Sequence, residues 1–278
     1  MRSFLFLFFI SIFIISNSGF AQKRWIKPLN KKVTAKFTKE ELIQKLNSND
    51  EKEIEIALRE IARLPDKSMT KYVIELLNKG LPDKLTELCL EVLGALADPS
   101  SLSILLSYAN HRRADVRIIA LQSLVSIQSS KYRADIVTAL ENGLRDSNSE
   151  VRETAASLIG EAKIKEAIPI LFQAYDKGVR EAAISIGKLG NRDDALRLAA
   201  YLGQRELDIL LDAIREFLIR DDFPEEGKMD LLDKLMEIAG PQVREFLVSF
   251  VSEIEKNKKY KKIKEKAEEI IQAIPEQQ

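Results

Sequence analysis

The residue types best suited to chemistry are scarce in this sequence. Among 278 residues there is one histidine, His111, and one cysteine, Cys89. A single histidine excludes every metal motif that needs two, and a single cysteine excludes an internal disulfide and an all-cysteine metal site. His111 lies in a polar stretch with no catalytic partner nearby, so we expect a solvated loop residue. Cys89 lies in an apolar stretch, so we expect a small buried side chain.

Adjacent carboxylates offer a second kind of chemistry. They occur at 193–194, 221–222 and 225–226. The stretch 221–227 has the length of a calcium loop, but it lacks the alternating Asp-x-Asp-x-Asp-Gly spacing, and its acids suit the start of a helix. The sequence also contains no Gly-rich phosphate loop, no G-x-S-x-G and no H-E-x-x-H. We therefore predict no metal, no cofactor and no enzymatic activity.

The elements that hold these residues are predicted to be helices alone. Apolar residues recur with helical spacing over stretches of 10–17 residues, and the 11 Gly and 8 Pro fall between those stretches. Thr38 and Glu41 form a capping-box pattern, and Pro82 and Pro241 occupy helix-start positions. The pattern predicts about fifteen helices joined by short turns.

An internal repeat organises these helices. The segment 149–160 aligns with segments that begin near residues 114, 178 and 242, and weaker copies precede and follow them. The apolar anchors of the copies lie at positions 54, 85, 116, 151, 179, 207 and 243, which are 28 to 36 residues apart. A period of this size is typical of one helix–turn–helix unit, and such units must stack to bury their apolar faces.

The repeat resembles a known family. Residues 146–171 contain Val151-Arg152, a pair of alanines and Gly160, followed by Ala167-Ile168-Pro169-Ile170-Leu171. This pattern resembles the HEAT-repeat family, in particular the short bacterial subtype also found in phycobilisome lyase-like proteins. The resemblance covers residues 50 to about 255 and weakens in the outer repeats. It implies an all-α fold, an α-solenoid coiled as a right-handed superhelix of about seven HEAT-like helix pairs, and it implies no single function.

Two repeated residue types have predicted structural roles. Small residues allow neighbouring helices to approach closely, and we assign this role to Ala155, Ala156, Ala182 and Ala183. An arginine follows the anchor in four copies, at positions 117, 152, 180 and 244. We expect these arginines to bond to acids or carbonyl groups of neighbouring repeats rather than to a ligand.

The first 21 residues predict a secretory signal peptide. A basic start at Arg2 precedes an apolar run from Phe4 to Ile15, and small residues at Gly19 and Ala21 suit a cleavage site. The run is too short for a membrane-spanning helix. The sequence thus predicts export, to a bacterial periplasm first and to the exterior second. Export also argues against pigment attachment, which belongs to the cytoplasm.

The net charge of zero hides an uneven distribution. After the leader, a basic N-terminal arm at 22–39 carries +7, the repeat region at 40–255 carries −11, and the Lys-rich capping helix and tail at 256–278 carries +6 over its first eleven residues. These ends are either ordinary solvated termini or contacts for an acidic surface. Trp25 either anchors a partner or packs on the first repeat. The predicted partner contacts are Trp25, Arg24, Lys27, Lys258, Lys259, Lys261 and Lys262.

Together these patterns predict a non-catalytic, exported or periplasmic protein-interaction scaffold. The alternative is a structural subunit of a periplasmic assembly, such as the coat or sheath of a filament or flagellum. The expected partners are proteins, in a homo- or hetero-assembly. The absence of a basic excess argues against nucleic acid, and no transmembrane segment is expected once the leader is removed.

Overall fold

Every regular element in the described part of the chain is a helix, as the sequence predicts. The computed structural model describes residues 35–127, 129–255 and 258–275, and these belong to one compact unit that begins at Ala35. The described residues form fifteen α-helices and no strand. None of these helices combines the length and the apolar character that crossing a membrane requires.

The helices follow one another with short connections. Their bounds are α1 Lys39–Leu46, α2 Glu51–Arg63, α3 Thr70–Leu77, α4 Asp83–Leu96, α5 Leu102–Tyr108, α6 Ala114–Val125, α7 Arg133–Gly143, α8 Ser149–Glu161, α9 Ile168–Asp176, α10 Arg180–Leu189, α11 Arg192–Ala199, α12 Leu207–Ile219, α13 Glu225–Glu237, α14 Pro241–Ile254 and α15 Lys261–Ala273. A short 3₁₀ turn precedes α3, α5, α7, α9 and α15.

The helix starts follow the signals in the sequence. The Thr38 hydroxyl accepts the Glu41 N–H at 3.2 Å, and the Glu41 carboxylate accepts the Thr38 N–H at 2.7 Å, which completes the predicted capping box of α1. Asp50 caps α2 with its carboxylate. Pro241 is the first residue of α14, and Pro82 immediately precedes α4.

The helices form two layers. The even layer consists of α2, α4, α6, α8, α10, α12 and α14, which pack on one another in chain order, and the odd-numbered helices form the second layer. All seven predicted anchors belong to even-layer helices or to the residue just before one. The described residues therefore contain seven consecutive helix pairs, with α1 packed against the first of them. This arrangement is an α-solenoid, and its right-handed coiling remains a prediction.

Small residues bring the even-layer helices together. Ala155 and Ala156 of α8 and Ala182 and Ala183 of α10 are completely buried, which confirms their predicted role.

Glycine and serine produce the tightest contacts of this layer. At the α8–α10 contact the Ser185 hydroxyl donates to the Ala156 carbonyl at 2.8 Å, and a Cβ added to Gly160 would lie 2.5 Å from the Ser185 Oγ. The α4–α6 contact repeats this arrangement, because Ser123 donates to the Leu90 carbonyl at 2.8 Å beside Gly94.

Two of the four repeated arginines, Arg117 and Arg180, connect neighbouring repeats, as expected. The Arg117 guanidinium donates twice to the Asp146 carboxylate of the next repeat, at 2.8 and 2.6 Å. It also donates to two carbonyls of the turn before its own helix, and Arg152 does the same in its own repeat. Arg180 contacts the next repeat as well, through Asp208 at 3.1 Å. These bonds hold each turn in place and align it with the following repeat.

Replacing Gly160 with alanine tests the close contact between α8 and α10. Alanine favours a helix interior over glycine by about 0.5–1 kcal/mol, but the added methyl group overlaps Ser185, and overpacking costs about 1–3 kcal/mol. We expect Gly160→Ala to lower the free energy of unfolding. The additional change Ser185→Gly removes the overlapping atoms and should recover part of the loss. Urea denaturation of the single and double variants measures this coupling, and strictly additive effects would contradict it.

Replacing Arg117 with methionine tests the connection between repeats. Asp146 would lose both guanidinium bonds while its side chain stays only 14% exposed, and hydrogen bonds to charged groups contribute about 1.5–3 kcal/mol each. The matched control is Arg133→Met, because the Arg133–Glu166 pair is half exposed and should contribute less than about 1 kcal/mol. We expect Arg117→Met to lose more unfolding free energy than Arg133→Met in urea denaturation. Equal losses of unfolding free energy in the two variants would argue against a special role for Arg117.

Candidate functional site

The Lys-rich end of the chain packs against the acidic turn between α12 and α13. Lys259, in the 3₁₀ turn before α15, donates to the Asp221 carboxylate at 2.7 Å. Lys262, in the first turn of α15, donates to Glu225 at 2.8 Å. Two of the predicted partner contacts thus bind acids of the same chain, more than 35 residues away in sequence.

The acids of this turn bind cationic side chains of the same chain. Besides Asp221 and Glu225, Asp222 binds Arg220 through two hydrogen bonds at 2.9 and 3.0 Å, and Glu226 pairs with Arg192 at 3.1 Å. Hydrogen bonds from Lys259 and Tyr260 lower the pKa of Asp221, and those from Arg220 lower the pKa of Asp222. Within the described residues no cluster of His, Cys, Asp and Glu could hold a metal ion.

Arg220 fixes the turn to the preceding repeat. It is the first residue after α12, and its guanidinium donates to the carbonyls of Gly187 at 3.1 Å and Gly190 at 2.8 Å, where α10 ends. These carbonyls lack partners within their own helix, so the arginine satisfies the end of α10. Because Arg220 also holds Asp222, the turn has a defined position before α13 begins.

Beneath this turn lies a buried amine, that of Lys228 in α13. Its side chain is only 4% exposed. Its ammonium donates to the Arg220 carbonyl at 2.6 Å and lies 4.6 Å from the centre of the Tyr260 ring. The Tyr260 hydroxyl donates to the Ile219 carbonyl at 2.8 Å and lies 3.1 Å from the Asp221 carboxylate. Burial lowers the pKa of Lys228 from 10.5 to about 8, because a desolvated ammonium is less stable than a neutral amine.

These side chains line a cavity of about 310 Å³. Its lining residues are Asp221, Asp222, Phe223, Pro224, Glu225, Lys228, Lys259, Tyr260 and Ile263. The cavity combines apolar walls with a few converging polar groups, which is the usual composition of a small-molecule site. We did not identify Lys228 from the sequence. The available signal was its spacing, because Lys228 lies three and four residues before the buried Leu231 and Leu232.

The other predicted contacts have different positions. Trp25, Arg24 and Lys27 lie outside the described residues, as does the leader at 1–21, and so does the side chain of Lys258. Lys261 lies 3.8 Å from Glu265 on its own helix. The role of all these residues in partner binding remains a prediction.

Cys89 and His111 occupy different environments. Cys89 is completely buried, and burial raises its pKa to about 12. The His111 ring stacks on Tyr108 with 5.8 Å between ring centres, and its Nδ1 accepts the Arg113 N–H at 3.3 Å. A second cavity of about 280 Å³ lies beside His111 and is also lined by Arg117. The Arg117 guanidinium donates to the Asp146 carboxylate and to the His111 carbonyl.

The buried lysine predicts a specific pH dependence. Between pH 8 and 10.5 the unfolded chain holds this proton more tightly than the folded one, so Lys228 makes stability rise with pH in that range. Below pH 8 both states are protonated, and the buried ammonium carries its full cost. We expect the stability of Lys228→Met, relative to wild type, to be highest at pH 7 and to fall towards pH 10. Urea denaturation at both pH values measures this, and a constant difference would contradict it.

Three comparisons place the chain among known proteins. A family model for the HEAT repeat matches residues 136–162, within α7 and α8. No curated protein matches the chain. A solved structure, the complex of CpcE and CpcF of phycocyanin lyase from Nostoc sp. PCC7120, is similar with a TM-score of 0.47 and 14% identity. The similarity covers 90% of this chain and 99% of that one. At this identity it concerns the fold alone.

These findings correct two predictions. The similar complex is described as a lyase, which contradicts the prediction of no enzymatic activity. The same description contradicts the predicted function of a non-catalytic periplasmic scaffold, with its coat or sheath alternative. The predicted export itself remains a prediction. The physical error lies in using missing local motifs as an exclusion, since a site can be built from residues far apart in sequence.

The resemblance to HEAT repeats, in contrast, is confirmed. The chain carries a HEAT repeat at residues 136–162, and its described helices form an α-solenoid of seven consecutive helix pairs.

Proposed function

We propose that the protein binds a protein partner, and that the outer face of its even layer binds a basic segment of that partner. The observation that carries this proposal is a row of carboxylates on three successive even-layer helices. The row consists of Glu153 on α8, Glu181 on α10, and Asp208 and Asp212 on α12.

The row differs electrostatically from the acidic turn at 221–226. Burial, together with the charge of Glu181, raises the pKa of Glu153. Burial, together with the charge of Asp208, raises the pKa of Asp212. Within the described residues, Oε2 of Glu181 is buried without a hydrogen-bond partner. Glu153, Glu181 and Asp212 therefore have fewer compensating cations than Asp221 and Asp222, whose pKa values their cationic neighbours lower. Asp208, in contrast, pairs with Arg180 at 3.1 Å.

A partner that brings cations to this row would relieve the repulsion. Lysine and arginine side chains of an extended segment could reach successive helices of the layer, since neighbouring helices pack 8–10 Å apart. The repeat region as a whole carries a net charge of −11, which attracts a basic segment from a distance and repels nucleic acid. The chain has such a segment itself at 22–39, so the partner is either a second copy or another protein.

A peptide of residues 22–34 provides a direct test. It contains five basic residues and no acid, and it includes Trp25, the single tryptophan of the chain. Protein that begins at Ala35 has no tryptophan, so emission and anisotropy report the peptide alone. We expect binding near 20 mM salt that weakens strongly towards about 500 mM, because screening shortens the range of the attraction.

Matched variants locate the binding surface. The triple variant Glu153→Gln, Glu181→Gln and Asp212→Asn should weaken peptide binding by about tenfold. The control changes the same number of charges in the odd layer, with Glu141→Gln, Asp193→Asn and Glu237→Gln, and should bind nearly as wild type. Equal weakening in both variants would mean that the peptide responds only to net charge, and the proposed surface would be wrong.

A further inference from the structure

The cavity at the α12–α13 turn has a feature that partner binding does not require. Lys228 is one of its lining residues, and its amine is largely removed from water between the Tyr260 ring and the Arg220 carbonyl. Arg220 accepts one hydrogen bond from this amine through its backbone carbonyl. In its neutral form the amine keeps a lone pair that is not engaged in that bond.

We propose that Lys228 is a reactive amine that receives a small, neutral aldehyde in this cavity and condenses with it to an imine. The amine lone pair attacks the carbonyl carbon, a C–N bond forms, and the carbonyl π electrons move to oxygen. One proton passes from nitrogen to this oxygen, which gives a carbinolamine. The nitrogen then loses its second proton, the hydroxyl leaves as water, and the C=N bond forms. Amine and aldehyde thus give imine and water without an oxidant or reductant.

The surroundings keep part of this amine neutral. Burial is the largest influence on its pKa of about 8. Lys259 and Arg220 also disfavour the ammonium form, whereas Asp221 and Asp222 favour it. At pH 7 the neutral fraction at this pKa is about 300-fold larger than that of an ordinary lysine. Tyr260 and Asp221 line the same cavity, 3.1 Å apart, and can relay protons to the departing oxygen.

The lining selects the class of ligand. Phe223, Pro224 and Ile263 form apolar walls, so an aldehyde with an apolar body fits. With Lys228 neutral, the lining holds three carboxylates and one ammonium, that of Lys259, and this balance disfavours an anionic ligand. A volume of about 310 Å³ lies at the small end of ligand sites, which limits the ligand to about one ring.

Reductive trapping tests this assignment on the full chain. The folded protein is treated with benzaldehyde and cyanoborohydride at pH 7, and peptide mass spectrometry measures the adduct at each lysine. We expect the adduct at Lys228 to exceed that at Lys262 by at least about tenfold, since Lys262 is exposed and its bond to Glu225 raises its pKa. Labelling of Lys228 at or below the level of Lys262 would overturn the proposal and leave the amine as a cap of α12.

Two controls test whether labelling of Lys228 depends on the folded cavity and on the charge of the aldehyde. In urea the preference for Lys228 should disappear, because it depends on the folded cavity; a preference that persists would overturn the proposal. In the folded protein 4-carboxybenzaldehyde, which is anionic, should label Lys228 several-fold less than benzaldehyde does. Equal labelling by the two aldehydes would contradict the proposed selectivity.

Discussion

The close approach of successive even-layer helices is the constraint on which this structure depends. At two equivalent contacts a glycine of one helix faces a serine of the next, and the serine hydroxyl donates to the carbonyl four residues before that glycine. A side chain at the glycine would overlap the serine, so the pair sets how near the helices can come. The hydroxyl bond also favours one register of the two helices, because it joins the serine to one particular carbonyl.

A similarly close contact between α10 and α12 influences the position of the cavity. A Cβ added to Gly187 would lie only 2.3 Å from the Ala213 carbonyl oxygen, so the two helices touch at backbone level. The contact leaves the end of α10 within reach of Arg220, which binds two of its carbonyls. Arg220 in turn positions the turn beneath which Lys228 is buried. The close spacing of α10 and α12, which glycine at position 187 permits, therefore contributes to the burial of the Lys228 amine.

Sequence reasoning succeeded where the relevant information was periodic. The anchors, the buried alanines and the bond from Arg117 to the next repeat recur at nearly constant spacing, and stacking turns such spacing into contact. It failed for Lys228 and Tyr260, which lie 32 residues apart in two different repeats. Apart from the helical spacing of Lys228 to Leu231 and Leu232, their local sequence resembles that of solvated residues. Their burial follows from the way the last helix pair closes the array.

The closing of the array also decides where uncompensated charge remains. The Lys-rich end was expected either to be solvated or to contact an acidic surface, and Lys259, Lys262 and Lys266 bind acids of α13 and the turn before it in the same chain. Pairing within the chain lowers the charge available at that end. On the even layer, in contrast, burial and the like charge of Glu181 on the adjacent helix raise the pKa of Glu153. Because a partner gains most where charge is least compensated, recognition is favoured on the even layer rather than at the C-terminal end.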